Sequence, residues 1–424
     1  MKEIFKKLII NFQERQFSRI VPRDYDVPLN TKKIVSLIGV RRSGKTYILF
    51  SLIEKLRKSI DPKNIIYINF EDDRLYPLSL KKLDDLMESY YELYPAKREE
   101  KVYLFLDEVQ NIEGWERYVR RLDDTLNIQL FITGSSSKLL SSEIATSLRG
   151  RTITYEIFPF SFKEYLRYKE IEVNLYSSKT LSYVKNAFND YLVGGGFAET
   201  FDETTDVQKR ILKDYLDLII YKDVVERYTI KNQSLLKHLI KYMFVNMGTL
   251  ISINKLYNDY KSQGYKVGKD TLYDYMSYLQ EAYALFTTPI YRNSVREEQR
   301  NPKKLYAIDN GFKRLFSISL SDDYSKLYEN LAFLHLRRKS SEVYYYKEKQ
   351  EVDLYIKTDK EYLVNVSYTI EDEKTLKREL SALVEGMKYF KLDRAYLVTA
   401  TRDEIIEVDV GVIEVVPMWK WLLE

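Results

Sequence analysis

Cysteine is absent from all 424 residues, which rules out disulfides, thiol nucleophiles, iron–sulfur clusters and cysteine-held zinc. Histidine is almost absent: His238 and His335 lie far apart, too few and too distant for an imidazole metal site. No apolar run approaches the roughly 18 residues that a membrane helix needs, and the N-terminus lacks an apolar signal core. A soluble, cytoplasmic protein with no membrane partner is therefore expected. A net charge of +4 is too small to demand a nucleic-acid partner, so the clustering of charge has to decide that question. What the chain does have is charge of both signs, at 31% of residues, and an ordinary 45% of hydrophobic ones. A chain this long exceeds one hydrophobic core and predicts two to four domains.

Residues 1–23 carry Lys2, Lys6, Lys7, Arg15, Arg19 and Arg23 against Glu3 and Glu14 on an amphipathic pattern, expected as a solvated helix packed on the first domain. From Lys33 to Thr133 short apolar runs (34–38, 65–70, 102–106 and 129–133) alternate with helical segments. Runs of that length suit strands buried on both faces, and the alternation predicts a parallel sheet in an α/β domain. Beyond Phe158 apolar residues recur at helical spacing over 162–168, 181–192 and 207–228, with Gly194-Gly195-Gly196 as a sharp turn. Three short helices (235–247, 253–263, 271–283) and a strand at 285–290 follow, in the order of a winged helix. After Pro302 strands return at 304–308, 343–347, 352–356, 362–367, 395–399 and 412–416, with helices over 325–337 and 373–390.

Gly39-Val40-Arg41-Arg42-Ser43-Gly44-Lys45-Thr46 fits the G-x-x-x-x-G-K-[ST] pattern between a predicted strand and a predicted helix. The glycines let backbone N–H groups, those of Arg42 and Ser43 included, turn inward on phosphate oxygens at the positive end of a helix. Lys45 then reaches the β- and γ-phosphates, and Thr46 offers a hydroxyl to the magnesium that bridges them. ATP and Mg2+ are the expected ligands. The side chains of Arg41 and Arg42 point away from phosphate and read as surface or interdomain contacts.

Val102 to Leu106 delivers Asp107 and Glu108 to the C-terminal edge of a buried strand, where open α/β sheets hold ligands. Asp107 is placed to hold magnesium, and Glu108 to orient or deprotonate the attacking water. Thr133 and Ser135, in the run Leu130 to Ser137, end a strand at the same edge. They are candidate γ-phosphate sensors or, equally, helix caps. Arg149 and Arg151 flank Gly150, and guanidinium groups supplied in cis or by a neighbour stabilise charge in phosphoryl transfer; as a plain alternative, they are surface residues.

Together the Gly39 to Thr46 loop, Asp107-Glu108-Val109-Gln110 with Trp115 behind it, Thr133-Gly134-Ser135 and Leu148-Arg149-Gly150-Arg151 resemble an AAA+-like family of archaeal and bacterial ATPases. The segment Tyr221 to Tyr228 is similar to that family as well. The resemblance implies a multidomain α/β protein: a P-loop ATPase domain over 1–158, a helical lid over 159–234, a winged helix over 235–300 and a restriction-endonuclease-like domain over 301–424. It also implies ATP binding and hydrolysis in the first domain. Action on DNA or on a nucleoprotein is the expected function, with DNA and a second copy of the chain as expected partners. The alternative is a nucleotide-controlled switch that captures a protein.

In the last domain the family pattern asks for an acid on a helix, an acid on a strand and Glu-x-Lys on the next strand. Glu329 and Asp353 answer to the first two, but Asn365 and Ser367 stand where the second metal ligand and the lysine belong. Without them, cleavage of nucleic acid is not expected, and Glu351 and Lys347 are the nearest substitutes. The predicted recognition helix, 271–283, is rich in tyrosine and carries Asp274 and Glu281, which argues against major-groove reading. The following ribbon, with Arg292, Arg296, Arg300, Lys303 and Lys304, is the better phosphate-contacting candidate, interrupted by Glu297 and Glu298; the alternative is an ordinary solvated face.

Overall fold

In the computed structural model, which describes residues 1–135, 148–316 and 324–424, the apolar runs after Lys33 become strands β1 (Ile34–Ile38), β2 (Ile65–Asn69), β3 (Val102–Asp107) and β4 (Ile128–Gly134). A fifth, β5 (Thr152–Glu156), was not expected from the sequence; it pairs in parallel with β1 at the sheet edge. All five strands run parallel in the order β2-β3-β4-β1-β5, and every residue of β1 and β3 is buried. Helices cover both faces, so strands with no polar side sit inside the sheet at no cost.

Helix α1 (Lys2–Gln13) buries Phe5, Ile9 and Phe12 along one stripe, and the Phe12 ring stacks on Tyr67 of β2 at 4.5 Å. Its lysines face α3 (Asp84–Leu93), where Lys2 and Lys6 both reach Glu92. Helix α2 (Lys45–Arg57) leaves the end of β1, and α4 (Trp115–Thr125) leads into β4. These elements form the first of two compact units, Met1–Phe158.

The second unit, Pro159–Glu424, opens with helices α5 (Phe162–Tyr168), α6 (Ser178–Gly194) and α7 (Thr205–Leu218), the last running into a π-helical turn over Ile219–Val225. The triple glycine closes against the rest of this unit. A Cβ on Gly195, at φ +83°, would stand 1.8 Å from Asp309 Oδ1, and one on Gly196 would stand 2.3 Å from the Phe160 carbonyl oxygen. Asp309 is buried there, with one carboxylate oxygen accepting from the amide of Gly196 at 2.6 Å and the other from Gly311 at 2.8 Å.

Helices α8 (Gln233–Val245), α9 (Ile253–Ser262) and α10 (Lys269–Glu281) follow, interleaved with strands β6 (Leu250–Ile251) and β7 (Leu285–Thr288). Both strands pair antiparallel with β8 (Lys303–Ala307) in a three-stranded sheet. A boundary at residue 300 therefore cuts through a hydrogen-bonded sheet, because β8 belongs with the strands before it. The segment between β7 and β8 is not a ribbon but a short helix, α11 (Val295–Arg300). The rest is a six-stranded mixed sheet in the order β13-β14-β12-β11-β10-β9, with β9 (Val343–Lys347), β10 (Glu351–Ile356), β11 (Tyr362–Val366), β12 (Arg394–Thr399), β13 (Glu404–Val408) and β14 (Gly411–Pro417). It packs with α12 (Tyr324–Lys339), α13 (Glu373–Phe390) and the terminal α14 (Met418–Trp421).

Candidate active site

The C-terminal ends of β1, β3 and β4 bring the expected residues of the first unit together. Gly39 leaves β1 at φ +145° and lies so close to β5's exit that a Cβ would meet the Ile157 carbonyl oxygen at 2.1 Å, so only glycine fits. Arg42 and Gly44 also take positive φ, at 64° and 93°, and these turns wrap the loop onto the first turn of α2. Lys45 is 4% exposed, and its Nζ donates to the carbonyl oxygens of Gly39 and Val40, both at 3.0 Å. The buried Ser43 hydroxyl takes no hydrogen bond among the described residues.

Asp107, the last residue of β3, is fully buried. Its Oδ2 accepts from Thr46 Oγ1 at 2.8 Å and from Tyr67 OH at 2.7 Å, while Oδ1 accepts from Thr133 Oγ1. Burial raises this carboxyl above the ordinary range, and the hydroxyl donors from Thr133, Tyr67 and Thr46 only partly offset it. Burial works on the neighbouring Glu108 in the same sense. There Lys45, Gln110, Arg41 and Ser135 outweigh it, so that carboxyl lies below its ordinary range. Glu108 Oε1 is 4.0 Å from Lys45 Nζ.

Glu108 sits at φ 55°, a conformation that costs a side-chain-bearing residue on the order of 1–2 kcal/mol. Its surroundings hold it there: the amide donates to Thr133 Oγ1 at 3.0 Å and the carboxylate accepts from Gln110 Nε2. Thr133 thus touches both acids, and Ser135 joins them through Gln110 at 3.2 Å. Ser136 and Ser137 lie outside the described residues. Two contributors were given no role in the sequence reading, Tyr67 and Gln110. Gln110 carried a signal, an amide two residues past the acid; Tyr67, a strand away, carried none.

Arg149 and Arg151 do not join this group within one chain. The amide of Ile34, the first residue of β1, donates to the Arg151 carbonyl at 2.8 Å, so Arg151 lies beyond the edge of the sheet opposite the loop. Its guanidinium pairs with Asp123 at 3.5 Å and Asp124 at 3.0 Å, and Arg149 is exposed. Arg41 reaches Glu71 at 3.3 Å.

A second polar cluster lies in the other unit, and it corrects the reading of Lys304. That residue is no phosphate-contacting surface lysine: it is 3% exposed, and its Nζ meets Asp353 at 2.8 Å and Glu329 and Glu351 at 3.0 Å. The Tyr306 hydroxyl adds a bond to Glu329 at 2.8 Å. Burial opposes the charge on Lys304, yet Asp353 and Glu329 hold its pKa well above the ordinary value; burial pushes Glu329 up to about 7 against the pull of Lys304. Asn365 bridges Asp353 and Glu379, accepting from the Asp353 amide at 3.0 Å and donating to Glu379 at 2.7 Å, whereas Ser367 turns to the Thr369 carbonyl. The expected acids Glu329 and Asp353 do converge, then, and the cation between them comes from β8 rather than from position 367. Arg292 is likewise engaged, with Glu348 at 3.2 Å and the Lys347 carbonyl at 2.7 Å.

Residues 31–166 match the model of an AAA domain, and residues 185–321 match a domain of unknown function. The chain is 38% identical to an uncharacterized protein of Methanocaldococcus jannaschii, over 100% of this chain and 96% of that protein. It is 30% identical to an uncharacterized protein of Haemophilus influenzae, over 92% of this chain and 94% of that one. Among solved structures it is similar to the Aeropyrum pernix ORC1 protein in complex with DNA, at 14% identity and a TM-score of 0.32, covering 69% of this chain and 87% of that chain. The chain thus carries an AAA domain and belongs to one family with these two relatives.

Proposed function

We propose that the protein binds and hydrolyses ATP in its first unit and uses the cycle to act on DNA or a nucleoprotein. The convergence of Lys45, Thr46, Asp107 and Glu108 at one end of a parallel sheet carries this reading. The loop suits a triphosphate: an ammonium on backbone carbonyls and an orphaned buried hydroxyl on Ser43 both have bonding capacity that phosphate oxygens would use better. Thr46 and Asp107, already in contact, would hold magnesium, which screens phosphate charge when bound. Glu108, kept ionised, has the protonation state of a general base. Arg149 and Arg151 would serve only from a neighbouring copy, so a role for them implies a homo-oligomer.

For the DNA part of the proposal, support comes from α8 to α10 rather than from the arginines after β7. Lys237, Lys241, Lys255, Lys261, Lys266 and Lys269 are exposed, and none pairs with a carboxylate among the described residues. Lys261 and Lys269 both flank the Tyr257 ring, at 5.9 and 5.3 Å, and His238 packs against Tyr265. Unpaired lysines around aromatic rings suit a nucleic-acid backbone, and the order of helices and strands suits a winged helix.

Lys45→Ala should abolish tight ATP binding in calorimetry, and unchanged affinity would contradict the site. Turnover measured with and without single-stranded and duplex DNA tests the partner. Stimulation supports the DNA reading, and unstimulated turnover without DNA binding points to a protein target instead.

A further inference from the structure

Gln110 lies in the single 3-10 turn, Val109–Asn111, that follows Glu108. Its Nε2 donates to Glu108 Oε2 and to Ser135 Oγ. An amide can present only its nitrogen to a carboxylate, so charge fixes which way this side chain faces, and Oε1 points elsewhere. That oxygen is buried and accepts no hydrogen bond among the described residues. Buried acceptors without a donor are rare in folded proteins, and one beside a candidate general base calls for a donor that arrives with the reaction.

Resting on the ATPase reading above, we propose that Gln110 is a second catalytic residue of the hydrolytic step, holding Glu108 through Nε2 and accepting a hydrogen of the attacking water at Oε1. Glu108 removes one proton from that water. The water oxygen forms its bond to the γ-phosphorus as the bond from γ-phosphorus to the β,γ-bridging oxygen breaks, leaving ADP and phosphate. The second O–H of the water stays intact and donates to Gln110. A lone carboxylate leaves the water free to rotate about one hydrogen bond; two acceptors fix its lone pair toward phosphorus. Ser135, which accepts from the same Nε2, keeps the glutamine from swinging away.

The test compares Gln110→Ala and the near-isosteric Gln110→Glu with wild type in steady-state ATPase assays, alongside calorimetric affinity for a non-hydrolysable ATP analogue. Gln110→Ala is expected to lower kcat about 10²-fold while analogue affinity stays within about twofold. Gln110→Glu, which replaces the donating amide nitrogen beside Glu108 with a carboxylate oxygen, should also lower kcat. Wild-type kcat in either variant would overturn the role, as would a loss of analogue affinity equal to the loss of rate. Absence of turnover in the wild-type protein refutes the ATPase reading and this role together, whereas turnover that Gln110→Ala retains refutes this role alone.

Discussion

Replacing Lys304 with methionine keeps the length and the apolar stem of the side chain and removes only the charge. Three carboxylates then lose a cation held at 2.8–3.0 Å. At an effective dielectric of about 20 each such contact is worth roughly 5 kcal/mol in isolation, but desolvation of the ammonium and repulsion among the acids offset most of the sum. Breaking a buried pair from one side costs about 3–5 kcal/mol. Here the lower end applies, because the side chains of Glu351 and Asp353 remain 28% and 20% exposed and can take up water once the lysine is gone.

The expected loss is thus about 3 kcal/mol at pH 7, read from urea unfolding by fluorescence, to which Trp419 and Trp421 contribute from this unit and Trp115 from the other. The deficit should also depend on pH. Glu329 has a folded-state pKa raised from 4.5 to about 7, so its neutral form stabilises the fold below the unfolded value and that stability is lost as pH rises through 7. Without Lys304 the ionised form is harder still to accommodate, and the variant should fall away from wild type between pH 5 and 8. A loss under about 1 kcal/mol, or an equal loss at both ends of that range, would refute the reasoning.

Glu108→Gln should keep ATP affinity and slow hydrolysis by at least about an order of magnitude, and wild-type turnover would remove Glu108 from the chemistry. Lys237, Lys241 and Lys269 changed together to glutamate should weaken DNA binding and reduce its salt slope by about one per lost phosphate contact; an unaltered slope in a titration at several salt concentrations would move the DNA surface elsewhere. The purified protein should not cut DNA with magnesium or manganese, because the Lys304 ammonium fills the space among Glu329, Glu351 and Asp353 where a metal would bind; cleavage that Asp353→Ala abolishes and Lys45→Ala spares would reverse this.

What was legible in the sequence was local. The phosphate loop, β3 with its two acids and the helices of the second unit each declare themselves within a dozen residues, through glycine spacing, apolar runs or a period of 3.6. The strands that escaped notice are edge strands: β5 is half-exposed, β6 has two residues and β13 reads Glu-Ile-Ile-Glu-Val, with no long apolar run to mark any of them. Lys304 escaped for a different reason. Its neighbours in sequence, Arg300 and Lys303, make it look like one more surface base, while the acids that bury it lie 25 to 49 residues away. Likewise the hydroxyl of Tyr67 finds Asp107 only because two strands lie side by side.

The run Gly194-Gly195-Gly196 has a further consequence for how this protein tolerates change. A triple glycine suggests slack in the chain, a natural place to cut, insert a tag or permute the termini. Here the glycines mark the opposite: the missing side chains are what allow one carboxylate, a neighbouring backbone carbonyl and two amides to occupy the same few ångströms. A side chain at 195 would drive into the Asp309 carboxylate that the amides of Gly196 and Gly311 hold, and one at 196 would drive into the Phe160 backbone. A random-insertion library should therefore return survivors from exposed turns such as Gly264 and almost none from the position that looks, on paper, the most permissive.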